Sequence, residues 1–259
     1  MAATNVSTED AIAVRSLALR FPKDHVIEPH QHPWGQVVYA TEGVLTVDTE
    51  EGAWVIPSHR AAWVPASTLH RVATTGRVRL RTLYLRPDIC RALPESCCVL
   101  SVSALLRELV LETIRLGMLR QDVPEQWRLA QVLIDQVGVT AEIPLDLRWP
   151  LDARARRVAD AVQSDLSSTA TLRDLAVDSG ASVRTLERLF TRDTGMTFSR
   201  WRQQARLLAA LRYLAAGESV TSTALAVGFN GTSAFIAMFR RALGRTPGSY
   251  FRAKGEPMG

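Results

Sequence analysis

The sequence has no long apolar run and little cysteine. The roughly 18 consecutive apolar residues of a membrane helix occur nowhere, and the opening stretch MAATNVSTEDAIAVRS lacks the charged start and apolar core of a secretion signal. We therefore expect a soluble, cytoplasmic protein. The cysteines form an odd set, Cys90, Cys97 and Cys98, with no second cluster to complete a zinc site or a disulfide framework. Reduced structural thiols are the expectation, and a redox sensor is the alternative.

Lysine is nearly missing, and the two parts of the chain differ in charge. Residues 1–149 contain 15 basic and 17 acidic side chains, net −2, whereas residues 150–259 contain 16 and 9, net +7. Nearly all of the basic side chains are arginine, which makes forked contacts with phosphate and guanine. The histidines all lie in the first part: His25, His30, His32, His59 and His70. The length of 259 residues allows two domains, of which the second is suited to nucleic acid.

Short alternating stretches in the first part predict strands between about residues 14 and 86. They are RSLALR, QVVYAT, GVLTVDT, GAWVIP, HRVATT and RVRLRTLYL. Strands spaced this evenly are typical of a small barrel or a jelly roll. The alternation shifts between Val78/Leu80 and Leu83/Leu85, which predicts a bulge or a bend.

From about residue 102 to 137 the apolar period becomes helical. The first predicted helix carries the stripe Leu105, Leu106, Leu109, Val110 and Thr113, and the second, after Pro124, carries Trp127, Ala130, Leu133 and Val137. These helices either only cover the barrel or also offer their outer faces as a dimer seam. Residues 1–139 are thus predicted as a sensor and dimerisation domain, and the proline-containing stretch 140–153 as a linker.

The second part contains two related copies of one unit about 48 residues apart. Ala176, Gly180, Phe190, Gly195, Thr197 and Trp201 correspond to Ala224, Gly228, Phe239, Gly244, Thr246 and Tyr250, with one residue inserted after the second turn glycine. In the second copy a short helix (Thr221 to Val227), a Gly-Phe-Asn break and an amphipathic helix (Thr232 to Leu243) predict a helix-turn-helix. A connector of about 20 residues, roughly 30 Å long, would hold two reading helices about one DNA turn apart. Residues 154–254 are therefore predicted as an all-α DNA-binding domain.

The outward faces of the two reading helices supply the candidate DNA contacts. In the first helix Arg184, Glu187 and Arg188 face away from the apolar side, where arginine can bind guanine and glutamate can accept from cytosine, each pair worth about 1–3 kcal/mol. The alternative is that Glu187 pairs with Arg184 or Arg188 on a solvated helix. Further candidates in this unit are Ser182, Thr185 and Arg192. The second unit offers Asn230, Thr232, Ser233, Arg240 and Arg241, a set suited to anchoring on phosphates with loose readout.

The two stretches LRDLAVDSGASVRTLERLFTRDTGMTFSRWRQQARLLAAL and ALAVGFNGTSAFIAMFRRALGRTP resemble the DNA-binding region of the AraC/XylS family of transcription regulators, over about 100 residues. The resemblance implies sequence-specific binding of double-stranded DNA, with Arg184, Glu187 and Arg188 at the base-contacting positions. In the family, members of this layout usually respond to a small effector through a variable N-terminal domain. We expect a homodimer, with RNA polymerase as a further candidate partner.

The N-terminal part is similar to the cupin motifs. His30-Gln-His32-Pro-Trp-Gly-Gln36, followed by Gly43, is similar to the first motif, and Pro65-Ala-Ser-Thr-Leu-His70 to the second, with Ser67 in place of glycine; Asp24 replaces a further glycine upstream of His30. Where cupins bind a metal, the ligands are two histidines, an acid and the later histidine. The matching positions are His30, His32, Gln36 and His70, so a neutral amide stands where a carboxylate is usual. The implied fold class is α+β: a cupin-like β-barrel with a helical pair, then an all-α double helix-turn-helix domain.

Three imidazoles and an amide oxygen suit a divalent transition metal of the zinc, iron, nickel or copper class. The spacing of His30 and His32 predicts that both lie on one face of a strand. Trp34, Trp54 and Trp63 are candidates to line an effector pocket, with barrel packing as the alternative.

We expect a transcription regulator that responds to a small molecule or a metal, and not an enzyme. Two alternatives are open. One is a metal-dependent cupin enzyme with an accessory DNA-binding domain, although no acid–base pair accompanies His30, His32 and His70 in the sequence. The other is a constitutive DNA binder whose barrel only dimerises.

Overall fold

The computed structural model describes residues 10–251, which form two units. One unit comprises the chain up to Thr49 together with Trp54–Leu145, and the other comprises Glu50–Ala53 together with the chain from Asp146 onward. The first unit is mostly strand with two helices, and the second is mostly helix. The expected fold class, a mostly-sheet N-terminal domain followed by a helical domain, is confirmed. Within the described residues, no helix has the length and apolar character needed to cross a membrane.

Ten strands are present in the described residues. Their bounds are β1 Ile12–Phe21, β2 Val26–His30, β3 Gly35–Asp48, β4 Gly52–Pro57, β5 Arg60–Val64, β6 His70–Leu85, β7 Cys98–Ser101, β8 Met118–Arg120, β9 Glu142–Ile143 and β10 Asp146–Arg148. The main path of the sheet runs β8-β1-β6-β3-β5-β7-β9, while β2 pairs with β6 and β4 pairs with β3. The two longest strands, β3 and β6, therefore pair with each other in the middle of this path, and the other strands lie on either side of them.

Both long strands were predicted in two pieces. QVVYAT and GVLTVDT form the single strand β3, and HRVATT and RVRLRTLYL form the single strand β6. The breaks in the pattern fall at Gly43 (φ 80°) and Gly76 (φ 72°), where glycine adopts a left-handed conformation and bends the strand without ending the ladder. In β3 the pairing with β6 shifts register on either side of Glu42.

The bulge predicted between Leu80 and Leu83 of β6 is not found there. The β1–β6 register is continuous from Val78 to Leu85. The alternation changes because the sheet is covered on both faces here: Leu83 and Leu85 pack in the core beneath the helices, while Thr82 is buried on the opposite face.

Two helices, α1 Ala104–Leu116 and α2 Pro124–Val139, cover one face of this sheet. α1 begins at the Ser103 cap, whose side chain accepts from the Leu106 amide, and ends at Gly117 with φ 81°. Their inner residues pack against sheet residues such as Val37 and Leu83. Leu105, which the stripe placed on the inner side, is instead 51% exposed.

The second unit contains seven α-helices in its described residues. They are α3 Ala153–Ser164, α4 Leu172–Ala176, α5 Val183–Thr194, α6 Phe198–Ala215, α7 Val220–Ala226, α8 Thr232–Leu243 and α9 Pro247–Tyr250. α4 with α5 and α7 with α8 form the two helix-turn-helix pairs, and their turn glycines, Gly180 and Gly228, have φ values of 72° and 79°. The connector α6 has 18 residues and is buried beyond its predicted stripe, at Leu207, Ala209 and Ala210 as well, because both pairs pack around it.

The stretch predicted as a linker, residues 140–153, is partly held by the second unit. The Trp201 indole donates to the Arg148 carbonyl at 2.8 Å, and the Asp193 carboxylate accepts from the amides of Leu151 and Asp152 at 3.0 and 3.3 Å. Asp152 in turn caps α3. Residues 146–152 thus form part of the helical unit, because side chains far along the chain satisfy their backbone groups.

Candidate functional sites

Three histidines of the sheet domain converge. His30 ends β2 and lies directly across from His70, the first residue of β6, with ring centroids 4.4 Å apart; the His32 and His70 centroids are 5.2 Å apart. One possible ligand atom from each ring lies within 4.8 Å of the others. The prediction that His30 and His32 share one strand is wrong, because β2 ends at His30 and His32 lies in the following loop. The His32 carbonyl accepts from the Ser67 amide at 2.8 Å, which joins this loop to the segment before His70.

Backbone carbonyls determine which ring nitrogen of each histidine carries the proton. The Nδ1 atoms of His30, His32 and His70 lie within hydrogen-bonding distance of the carbonyls of Glu28 (2.9 Å), Trp34 (2.5 Å) and Thr68 (2.8 Å). A carbonyl oxygen can only accept, so Nδ1 must donate and Nε2 keeps its lone pair in the neutral ring. Burial lowers the pKa of His70, and the nearby His30 and His32 lower it further. All three rings can therefore offer Nε2 as a metal ligand.

Gln36 adds an oxygen to the cluster. Its Nε2 donates to the Thr82 hydroxyl at 2.9 Å, which donates to the Val37 carbonyl at 3.2 Å, and this chain directs the amide oxygen toward Nε2 of His32 at 3.2 Å. Two acceptors thus face each other. Nε2 of His70 is also buried without a hydrogen-bond partner in the described residues. A set of lone pairs with no shared hydrogen fits a cation, and three imidazoles with an amide oxygen fit a divalent transition metal.

The positions where glycine is missing from the cupin motifs keep a glycine-like backbone. Asp24 and Ser67 have φ values of 58° and 59°, and Gly43, the glycine that is retained, has φ 80°. Residues other than glycine seldom adopt this region, and aspartate tolerates it better than most. Asp24 and Ser67 therefore adopt, near the histidines, a backbone conformation that glycine usually supplies.

Tyr84 is a neighbour of the cluster that sequence reasoning missed. Its ring meets the His32 ring edge-on, with centroids 5.0 Å apart, and it lies directly across from Gln36 in the β3–β6 pairing. Burial raises the pKa of Tyr84, while contacts with the side chains of Thr82 and Gln36 lower it less. Only the register of β3 on β6 reveals this placement, since the strand pattern by itself does not specify the partner.

The three tryptophans predicted to line one pocket occupy different places. Trp63 lies across from Val37, so it points to the helix-covered face and away from the Gln36 face; its indole donates to the Pro94 carbonyl at 2.8 Å. Trp63 is 2% exposed and packs in the core, which agrees with barrel packing, the alternative to a pocket role. Trp54 is 1% exposed, consistent with core packing. Trp34 is half-buried beside His32, and the Arg15 guanidinium lies 5.1 Å from its ring centroid.

Cysteine chemistry is suppressed by burial. Within the described residues none of Cys90, Cys97 and Cys98 forms a disulfide, and Cys97 and Cys98 are buried while Cys90 is half-buried. Burial raises the pKa of Cys90 to about 12, so it is a thiol and not a reactive thiolate at neutral pH. This supports structural thiols over a redox sensor.

The first reading helix, α5, presents three charged side chains to solvent. Arg184, Glu187 and Arg188 are exposed, while Leu186 and Phe190 are fully buried on the opposite side. Between residues 10 and 251 no hydrogen bond or ion pair engages those three charged side chains, so Glu187 does not neutralise its neighbours. They line a surface hollow with residues of the α4 and α6 starts. Such a face can exchange its water for DNA without first breaking internal ion pairs.

The other candidates of this unit have local partners. The Ser182 hydroxyl caps α5 by accepting from the Thr185 amide at 3.2 Å, and the two hydroxyls lie 2.9 Å apart. Arg192 pairs with Asp193 at 2.5 Å. These contacts give Ser182, Thr185 and Arg192 structural roles that do not require DNA.

The second reading helix, α8, has a weaker polar face. Phe235, Met238 and Phe239 are buried, and α8 starts after Gly231 without a side-chain cap. The predicted contact residues are exposed apart from Thr232, which is half-buried: Asn230, Ser233, Arg240 and Arg241. The only cations of the set lie in the last turn, where they can reach phosphate.

Several arginines of the basic domain are engaged in the fold. Arg154 pairs with Asp152, Arg156 with Asp160, and Arg157, Arg202 and Arg206 donate to backbone carbonyls. Burial lowers the pKa of Arg206. Arg173 and Arg200 are exposed. Fewer arginines are therefore available for contacts with DNA than the composition suggests.

Comparison with known proteins agrees with this architecture. Residues 12–135 match the AraC-like ligand binding domain, and residues 175–253 match a helix-turn-helix domain. The HTH-type transcriptional regulator NimR of Escherichia coli (strain K12) is 33% identical over 228 residues, which cover 88% of this chain and 83% of NimR. The HTH-type transcriptional regulator RipA of Corynebacterium glutamicum is 38% identical over 101 residues, 39% of this chain and 30% of RipA.

Among solved structures, ToxT from Vibrio cholerae with a bound unsaturated fatty acid aligns with 92% of this chain and 95% of its own, at 12% identity and a TM-score of 0.39. The similarity to NimR, in contrast, extends over most of both proteins, and its sequence identity of 33% is high enough to assign the family. The chain therefore belongs to the AraC family of transcriptional regulators, with an N-terminal ligand-binding domain and a C-terminal helix-turn-helix domain that binds DNA.

Proposed function

We propose that α5 supplies most of the sequence discrimination and that α8 anchors the protein on the DNA backbone. The exposed and unpaired set Arg184, Glu187 and Arg188 carries this proposal. Its two guanidinium groups can each bind a guanine edge, and its carboxylate can accept from cytosine. On α8, Arg240 and Arg241 contribute phosphate contacts that do not depend on sequence.

The test uses a duplex selected by the wild-type protein from a random library. We expect Arg184→Ala combined with Arg188→Ala to remove specific footprinting protection, at a cost of about 1–3 kcal/mol for each lost contact. Binding to random DNA should decrease less. Arg77→Ala is the matched control, because Arg77 is an exposed arginine of β6, outside the DNA-binding domain and outside α1 and α2. An unchanged ranking of DNA sequences by the double variant would reject α5 as the reading helix.

We further propose that the sheet domain senses a divalent transition metal, alone or with a small effector. The observation that carries this proposal is the convergence of one ring nitrogen from each of three histidines, with the Gln36 oxygen facing Nε2 of His32 without a hydrogen to share. His30, His32, Gln36 and His70 would hold the ion, and their tautomers are already set by backbone carbonyls. If one conformation of the protein binds the ion better than another, metal binding increases the population of that conformation. The affinity for DNA then changes with it.

Metal analysis of protein purified without chelator tests this site. We expect close to one equivalent of metal in the wild type and little in His30→Ala/His32→Ala, since two ligands are lost. His59→Asn is the control, because His59 is an exposed histidine at φ 65°, a conformation that asparagine also tolerates. Removal of the ion should also change the affinity for the selected duplex. Equal affinity with and without metal would reject the sensing role.

The histidine cluster is proposed to sense and not to catalyse. In the described residues, the group of converging side chains contains no carboxylate that could move a proton. Turnover of small substrates by the iron-loaded protein would contradict this proposal and favour a cupin enzyme.

The outer faces of α1 and α2 are proposed as the dimer contact. They carry exposed apolar side chains, among them Leu105 and Val132. Leu105→Glu with Val132→Glu should convert a dimer to a monomer in sedimentation, while a constitutive monomer would show no change.

RNA polymerase is proposed as a further partner by the family membership alone.

A further inference from the structure

None of the side chains that converge in the histidine cluster is a carboxylate. The group contains three imidazoles, and the amide of Gln36 occupies the position where cupins use an acid. A divalent ion held there keeps its whole charge, and a charge that is partly removed from water costs far more free energy than one in bulk solvent. An ion held by these residues would therefore attract an anion more strongly than one held by a set that includes a carboxylate.

The residues beside the cluster are suited to an anion. Arg15 of β1 lies directly across from Tyr84 of β6, which lies directly across from Gln36 of β3. Residues opposite one another on paired strands share a face, so this row lies on one side of the sheet. Ser16, the next residue, points to the other side, where its hydroxyl donates to the Thr113 carbonyl at 3.0 Å. The row thus places a phenol and a guanidinium next to the amide ligand.

The same face also has an apolar part. Leu17 and Val38 lie across from Thr82, two residues from Tyr84, and Leu17 is 45% exposed. Trp34 lies next to His32 and beneath the Arg15 guanidinium. A purely inorganic anion would leave these surfaces without a contact, whereas an organic acid could cover them.

We propose that the effector of the sheet domain is a small organic carboxylate that binds through the metal of the histidine cluster. The Tyr84 hydroxyl donates a hydrogen bond to the carboxylate, Arg15 balances its charge, and Leu17 and Trp34 contact its apolar part. Gln36 is the specificity-determining residue, because a neutral ligand leaves the ion a charge for the carboxylate to neutralise. This inference rests on the proposed metal site.

The experiment uses the full chain loaded with Co²⁺, whose visible spectrum reports changes in coordination. Benzoate is the probe, and benzamide is its neutral control of the same shape. We expect benzoate to change the spectrum in a saturable way and benzamide to leave it unchanged. Tyr84→Phe should weaken benzoate binding about tenfold or more, since a hydrogen bond to a charged group is lost. Arg15→Gln should weaken it severalfold, and Arg77→Gln, at an exposed arginine outside the row, should have no effect.

Gln36→Glu provides a second and opposite test. The variant should retain cobalt but bind benzoate at least tenfold more weakly, because the protein itself then supplies the negative charge. If Gln36→Glu does not fold, the proposal is tested by the benzoate response of the wild type and of the Tyr84→Phe and Arg15→Gln variants.

The outcomes separate this inference from the proposal on which it depends. Absence of bound cobalt would overturn both. Bound cobalt with the same response to benzoate and benzamide would overturn the carboxylate effector and leave the metal site standing. Benzoate binding that is unaffected by Tyr84→Phe, Arg15→Gln and Gln36→Glu would overturn the residues assigned to it.

Discussion

Two glycines at equivalent positions of the helix-turn-helix pairs have different surroundings. Gly180 and Gly228 both adopt the left-handed conformation, with φ 72° and 79°. A Cβ on Gly180 would lie 3.6 Å from the nearest atom, in the Arg157 side chain, which is ordinary contact. A Cβ on Gly228 would lie 2.8 Å from the Leu166 carbonyl oxygen and 2.6 Å from the Arg206 guanidinium, which that carbonyl holds in place. Alignment of the two copies identifies both glycines, but the close approach at Gly228 depends on residues far away in sequence.

Alanine at these two positions should therefore have unequal costs. We expect Gly180→Ala to lower the free energy of unfolding by about 1 kcal/mol, from backbone strain alone. Gly228→Ala should lower it by about 2–4 kcal/mol, because overpacking against backbone adds to the same strain. Urea denaturation followed by circular dichroism measures both, and equal losses would show that the Arg206 contact gives way freely.

At the scale of elements, helices agree with local sequence better than strands do. α8 extends from Thr232 to Leu243 as the apolar spacing and Gly244 predict, and α7 lies one residue before its predicted span. Helix periodicity and caps are local properties, so the sequence near them is sufficient. β5 was not predicted, because four of its five residues are buried, which removes the alternation. The strand predicted to carry both His30 and His32 is the short β2, which contains Pro29 and ends at His30. Strands form because of their partners, and the partners are distant.

At the scale of the whole molecule, the fold reduces the number of arginines that are available to contact phosphate. Of the 16 basic side chains in residues 150–259, several are held by carboxylates or backbone carbonyls. The exposed residues Arg173, Arg200, Arg240, Arg241 and Arg245 remain as candidates for phosphate contact. Composition alone therefore overestimates the electrostatic part of the affinity.

The salt dependence of DNA binding should reflect the number of arginines that remain available for phosphate contact. For about five phosphate contacts in each DNA-binding domain, we expect the logarithm of the affinity to fall with the logarithm of salt concentration with a slope of about −4.5 for each bound domain. Arg240→Ala with Arg241→Ala should bring the slope to about −3 for each domain and preserve the ranking of DNA sequences. Fluorescence anisotropy at several salt concentrations measures the slope, with Arg77→Ala in the sheet domain as the control. A slope that the double variant does not change would exclude α8 as the phosphate anchor.

The sequence by itself determined the features that depend on neighbouring residues. The two helix-turn-helix units, the charge difference between the domains and the exposed face of α5 follow from spacing and composition. The histidines also stand out in the sequence, although their local geometry differed from the expectation because β2 ends at His30.

Only the tertiary structure decided what surrounds these residues. Carbonyls fix the tautomers of the three histidines, Thr82 directs the amide of Gln36 from 46 positions away, and Tyr84 meets His32 through the register of β3 on β6. The same register turned Trp63 to the helix-covered face. The physical reason is that a strand pattern specifies which residues share a face, but hydrogen bonding between distant segments specifies which face and which partner.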